Sequence, residues 1–366
     1  MKMTQGGSKR MVKGLKRVVA VMAMLAAFSM TGRIALAQND EAIDAIRDRD
    51  SIPETDQDRL ARWLGAKVDS LGSATDMQQA FDALNAEFRD TRNSDAFTQV
   101  LVTELAKIAV NRYARSSLGK PTAFALSHQL SLTPRVETVP ALLAGLKSSH
   151  SFVRYKSARS LGRLSAQIAG DDAMFTQVRD GIRDAALAEE DPVALRYELR
   201  ALSSRERIAQ IVPVFISVLD KRIEARQNPT VKADGAELGI YENLARQDVL
   251  DGLSQPQQVE LVKRLARLFR IDVTRYNHPR LAAEGEITDE KYREVARLER
   301  MLVAVEDILA RMVQGGTRKI PGELQNGGIA RNQQIRTIVY EWIGDAATST
   351  EGRLNSAPWN IPVGAP

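Results

Sequence analysis

Apolar residues return every three or four positions along most of the chain, and the strict alternation of a half-buried strand is almost absent. Between 56 and 226 this spacing predicts helices over 56–71, 75–90, 95–117, 122–130, 136–147, 152–167, 172–189, 193–207 and 208–226. Short helices divided by short polar breaks are the pattern of helical hairpins stacked on one another. Residues 228–239, NPTVKADGAELG, combine an Asn-Pro step and an Asp-Gly step without apolar periodicity and read as a linker. Beyond it, helices are predicted over 240–252, 257–274, 288–313 and 331–344. The third has Thr288 as its N-cap, Asp289 and Glu290 in the first turn, and one stripe of Leu298, Leu302, Val305, Leu309 and Met312. A polar lead over 38–55 and a Pro-containing tail over 345–366 flank these helices, and the tail reads as disordered.

The first residues alter the charge argument. Residues 1–17 carry Lys2, Lys9, Arg10, Lys13, Lys16 and Arg17 and no acid, and VVAVMAMLAAFSM follows as an apolar run from Val18 to Met30. Ala35-Leu36-Ala37 then gives a small-x-small step, so 1–37 has the layout of a secretory signal cleaved after Ala37. The run is shorter than the ~18 apolar residues of a membrane span, and an uncleaved anchor is the alternative. Seven of the 51 Lys and Arg, and none of the 46 Asp and Glu, lie in 1–37, so the rest of the chain holds 44 basic and 46 acidic groups. The excess of positive charge therefore belongs to the export signal, and a nucleic-acid partner is not expected. The chain is expected to be exported, periplasmic or extracellular. It has no cysteine, which excludes a Cys nucleophile, a thiolate metal site and a lipid-modified Cys.

Internal similarity is more informative than any catalytic motif. Val139-Pro140 followed by ALLAGL has a counterpart in Val212-Pro213 followed by VFISVL, 73 residues on. Val153-Arg154-Tyr155 returns as Leu195-Arg196-Tyr197 at a spacing of 42. Phe97-Thr98-Gln99-Val100 returns as Phe175-Thr176-Gln177-Val178 after 78. These spacings suggest a unit of ~40 residues. The stretch 139–164 resembles a HEAT repeat: a first helix with Pro140, Leu142, Leu143 and Leu146, a turn, then Val153-Arg154 entering a second helix with Ala158, Leu161, Gly162 and Leu164. It departs from that pattern in its turn, where Ser148, Ser149, His150 and Ser151 stand in place of an acid. The resemblance implies an all-α fold, an irregular HEAT/armadillo-like α-solenoid over 56–227 with a helical region over 240–344.

Candidate chemistry is sparse. The Ser/His knot at 148–151 has no nucleophile elbow, and its residues are neighbours on one turn, so the expected role is capping of the second helix by Ser149 or Ser151. His128, His150 and His278 are out of helical reach of one another, and neither a metal nor a cofactor is expected. Two basic faces remain: Arg154, Lys156, Arg159 and Arg163 on one helix, and Lys263, Arg264, Arg267 and Arg270 on another. Second helices of stacked hairpins line a concave surface. The expected binding residues are accordingly Arg154, Tyr155, Arg159, Arg163, Arg196 and Tyr197, and the expected partner is a protein or peptide, acidic if it seats on these cations. The expected function is that of an exported, non-enzymatic scaffold. HEAT-like bilin lyases keep open an enzyme on such a scaffold, and an uncleaved signal keeps open a membrane-tethered envelope subunit. Intact mass of the exported protein should place its N-terminus at Gln38. Recovery of 1–37 still attached in the membrane fraction would replace export with anchoring.

Overall fold

Helix boundaries follow from the caps that the sequence supplies. Asp76 accepts from Gln79 N at 2.7 Å, Ser94 from Phe97 N at 3.1 Å and Asp171 from Met174 N at 2.9 Å, each satisfying an amide that the first turn leaves free. Pro121, Pro140, Pro192 and Pro256 sit in first turns, where a missing N–H costs nothing. The computed structural model describes residues 40–115, 117–228, 230–231, 233–278, 288–326 and 330–363. The expected signal over 1–37, and also Pro279 and Gly327-Gly328, lie outside them. Among the described residues the fold is all-α, with one isolated bridge between Asp345 and Thr350.

The helices are α1 (Glu54–Ser70), α2 (Met77–Phe88), α3 (Asp95–Tyr113), α4 (Lys120–Leu132), α5 (Val139–Gly145), α6 (Ser151–Arg163), α7 (Ser165–Ala169) and α8 (Asp172–Ala188). They continue as α9 (Pro192–Ala201), α10 (Ile208–Gln227), α11 (Leu238–Leu244), α12 (Gln247–Leu250), α13 (Gln255–Tyr276), α14 (Asp289–Met312), α15 (Ile320–Asn326) and α16 (Arg331–Ile343). Two series of contacts run through them. In the first, α1, α3, α5, α8, α10 and α13 each pack on the next member; in the second, α2, α4, α6, α9, α11 and α14 do the same. One buried apolar cluster lies between the series, from Ile43 and Leu60 through Phe97, Leu142, Phe215 and Phe269 to Leu302 and Trp342.

Several expectations change. The helix expected over 152–167 breaks at Leu164, that over 193–207 ends at Ala201, and that over 240–252 divides into α11 and α12. Pro213, paired by sequence with Pro140, lies inside the continuous helix α10 and does not begin a helix. Gly162 packs α6 against α9 of the following hairpin, its Cβ position lying 3.4 Å from Ala201 Cα. The lead is not an idle polar segment: Ile43, Ile46 and Ile52 are buried, and Arg47 pairs with Asp44 and Glu87, both at 2.7 Å. The tail expected to be disordered folds back on α16, burying Leu354, Trp359 and Ile361. Asn355 fixes this return by donating to Ile361 O at 2.6 Å.

The expected linker is also pinned. Arg226, Glu237 and Asp272 have fully buried side chains and join α10, the 228–239 stretch and α13 in one ion cluster. Arg222 extends it to Asp234 at 2.6 Å and Glu237 at 2.9 Å. Burial raises the Asp272 carboxyl to about 7 despite the neighbouring Arg226. Sequence periodicity is blind to such a joint, because it is made of polar residues. Close backbone approach sets the next junction: a methyl on Gly239 would collide with the Arg196 carbonyl, whereas one on Gly162 would meet Ala201 at ordinary contact distance. Gly239→Ala is therefore expected to lose about 1–3 kcal/mol in chemical denaturation, and Gly162→Ala to be neutral or gain up to about 1 kcal/mol. Equal effects of the two would contradict this packing.

Candidate functional site

Helix α6, SFVRYKSARSLGR, divides its residues by spacing. Val153, Ser157, Ala158 and Leu161 turn inward, while Tyr155, Lys156, Arg159 and Arg163 stand toward the outside. Neighbouring helices continue the outer face with Phe124 and His128 on α4, Tyr197 and Arg200 on α9, and Glu242 on α11. On α4, α6, α9 and α11 together the acids are Glu198, which is buried, and Glu242. Positive charge therefore accumulates outside α6, and Glu242 is the one outward acid on these four helices.

Arg154 is the inward member of this set. Its Nε and Nη2 donate to Glu189 at 2.5 and 2.7 Å, and its Nη1 donates to the Ser148 carbonyl at 2.9 Å. Glu189 also accepts from the amides of Glu190 and Asp191, at 3.0 and 2.8 Å, just before α9 begins. Burial would raise the Glu189 carboxyl, but Arg154 and these amides hold it below its ordinary value. Glu198 lies beside Glu189 with no N–H or O–H donor on either oxygen, and burial together with the Glu189 charge pushes it up to about 8. A proton on Glu198 lets the two carboxyls share a bond where two anions would repel.

The other expected binding residues converge outside this cluster. Tyr155 and Tyr197 meet edge to face, with ring centroids 4.6 Å apart. Arg159 donates to Tyr155 Oη at 3.3 Å and Arg163 to the Ser131 carbonyl at 2.7 Å, and neither reaches a carboxylate among the described residues. Lys156 lies 5.4 Å from the centre of the Phe124 ring. Burial, and then the charges of Arg159 and Arg163, lower its pKa. Burial and the Lys156 charge lower that of His128, which stacks on Phe81 at 4.2 Å. Arg196 and Arg154 are not equivalent in use: Arg196 pairs with Glu242 on the surface, and Arg200 reaches the same carboxylate at 3.5 Å. Together Arg159, Arg163, Tyr197, Arg200, Ser203 and Asn243 border an open cleft of about 570 Å³. Arg200 and Glu242 were not singled out from the sequence, although the Arg196/Arg200 spacing on one helix face was available as a signal.

The serine-rich turn differs from its expected role. His150 occupies the N-cap position of α6, and no side chain there caps the helix. The His150 Nε2–H donates to the Leu118 carbonyl at 2.9 Å, and its ring stacks on Phe152. On the other basic face, Lys263 pairs with Glu260 at 2.8 Å and Arg264 with Asp220 at 2.9 Å, while Arg267 keeps a buried Nε without a hydrogen-bond partner. Among the described residues no group of three His, Asp or Glu converges as a metal site, and no helix is long and apolar enough to cross a membrane.

Glu198 provides a test of the inner cluster. Its folded pKa lies above the ordinary 4.5, so the stability it contributes is complete below that value and is lost as pH rises through about 8. The fall in Tm between about pH 5 and about pH 8.5 should be smaller in Glu198→Gln than in the unaltered protein. An identical fall in both would remove the neutral carboxyl from this account. Comparison with family models, with curated proteins and with solved structures finds no match for the chain.

Proposed function

We propose that the protein is an exported, non-enzymatic α-solenoid of HEAT type that holds an acidic protein or peptide segment on the outer face of its second helix series. The two alternating contact series support the solenoid reading, since stacked hairpins generate such a pairing of every other helix. One observation carries the binding reading: Arg159 and Arg163 stand at the cleft without a carboxylate, next to half-buried tyrosines. Guanidinium groups suit carboxylate recognition, because they form forked hydrogen bonds and are weakly hydrated. Arg154 drops out of this surface, since it belongs to the Glu189 cluster. The remaining expected residues, Tyr155, Arg159, Arg163, Arg196 and Tyr197, stay on it.

Electrostatic capture of this kind weakens with salt and responds to charge reversal at the rim. Arg159→Glu with Arg163→Glu should lower recovery of the crosslinked partner from the cell envelope by about tenfold or more, as expected for two charge-assisted contacts. Lys263→Glu with Arg264→Glu, on helix α13 away from the cleft, should leave recovery unchanged. Equal recovery by a folded Arg159/Arg163 variant would remove this surface from the function.

A further inference from the structure

The cationic cleft does not end at α9. Glu242 borders it on one side and borders a second groove of about 570 Å³ on the other, between α11, α14 and α15. Leu238, Ala245, Ala296, Val303, Ala304 and Leu324 line that second groove. Of its rim charges, Asp307 pairs with Arg318 at 2.8 Å and with Arg311 at 3.1 Å, Glu299 pairs with Arg331 at 3.3 Å, and Arg300 donates to the Ala296 carbonyl at 3.2 Å. The face thus changes character at Glu242, from a polar cleft where Arg159 and Arg163 lack carboxylate partners to a mainly apolar channel whose acids are paired.

We infer that one extended polypeptide segment occupies both grooves, with its acidic residues over α6 and α9 and its aliphatic residues in the α11–α14 channel. This rests on the binding face proposed above and specifies the composition of the partner. Charge complementarity assigns the acidic half, and continuity through Glu242 assigns the aliphatic half to the same chain. From α6 through α9 and α11 to α14 there are three helix-to-helix steps. At ~8–10 Å per step they span roughly 24–30 Å. An extended strand rises ~3.3 Å per residue, so roughly eight or nine residues bridge the two ends. An acidic run followed within that length by two or three aliphatic residues is the segment that fits.

The test uses fluorescence anisotropy with the full chain and nine-residue probe peptides: EEDEGSLVL, its reversed order, and EEDEGSSSS. One of the two mixed peptides should bind about tenfold or more tighter than the acidic one, since aliphatic burial in an open groove is partial and is offset by the cost of ordering the segment. Ala304→Gln, a helix-compatible substitution that narrows the channel, should abolish this gain and leave EEDEGSSSS unaffected. Arg159→Glu with Arg163→Glu should weaken all three peptides. A benzophenone on the aliphatic end should crosslink to α14. Equal affinity of acidic and mixed peptides, a gain that survives Ala304→Gln, or crosslinks confined to α6 would overturn the two-groove inference while leaving the binding face intact. Binding of no peptide, or binding indifferent to Arg159→Glu with Arg163→Glu, would overturn the face itself. Attachment to phosphatidylglycerol vesicles in place of the peptides would do the same.

Discussion

The Arg154–Glu189 ion pair determines what the surface around it can be. It ties α6 to the start of α9 and to the turn at Ser148, so three segments are oriented by one guanidinium and one buried carboxylate. Breaking either partner would strand the other in a poorly hydrated site, which is why such pairs resist piecemeal change. Helix α6 carries no acid of its own, and the neighbouring Glu189 and Glu198 are buried beside this pair, so neither offsets the outward cations of α6. The tyrosine contact and the cleft cations are arranged on the helix that the pair positions.

Much of the architecture was readable because apolar periodicity is a property of single helices, and every long helix of the repeat region announced itself. The resemblance carried by Pro140, the leucine stripe and Arg154 placed Arg154 on an outer binding face of α6, whereas its guanidinium turns in to Glu189. Partnerships were not readable in the same way. Val153-Arg154 and Leu195-Arg196 look alike along the chain, yet one arginine is held by a buried carboxylate and the other by exposed Glu242. Which acid an arginine meets depends on the angle between helices, and local sequence does not encode that angle. The tail shows the opposite bias. Its low periodicity implied disorder, but a single asparagine and a few apolar side chains suffice to fold it on α16.

The cluster of Arg226, Glu237 and Asp272 plays a comparable part at the next junction. It joins α10 and α13 through Glu237, at the end of the polar stretch, by ion pairs between fully buried side chains. Its members contribute orientation more than net stability, since burying charges costs nearly what their attraction returns. An apolar replacement of similar volume would satisfy the core without specifying which element meets which.

Gly239 against the Arg196 carbonyl carries an evolutionary consequence. The step between α9 and α11 is set by main chain on one side and a missing side chain on the other. Outward side chains add across it the surface pairing of Arg196 and Arg200 with Glu242. Side chains bordering the groove can therefore be exchanged while the spacing beneath them stays fixed. On the function proposed above, single substitutions at the groove would change what is bound while each leaves the frame as it was.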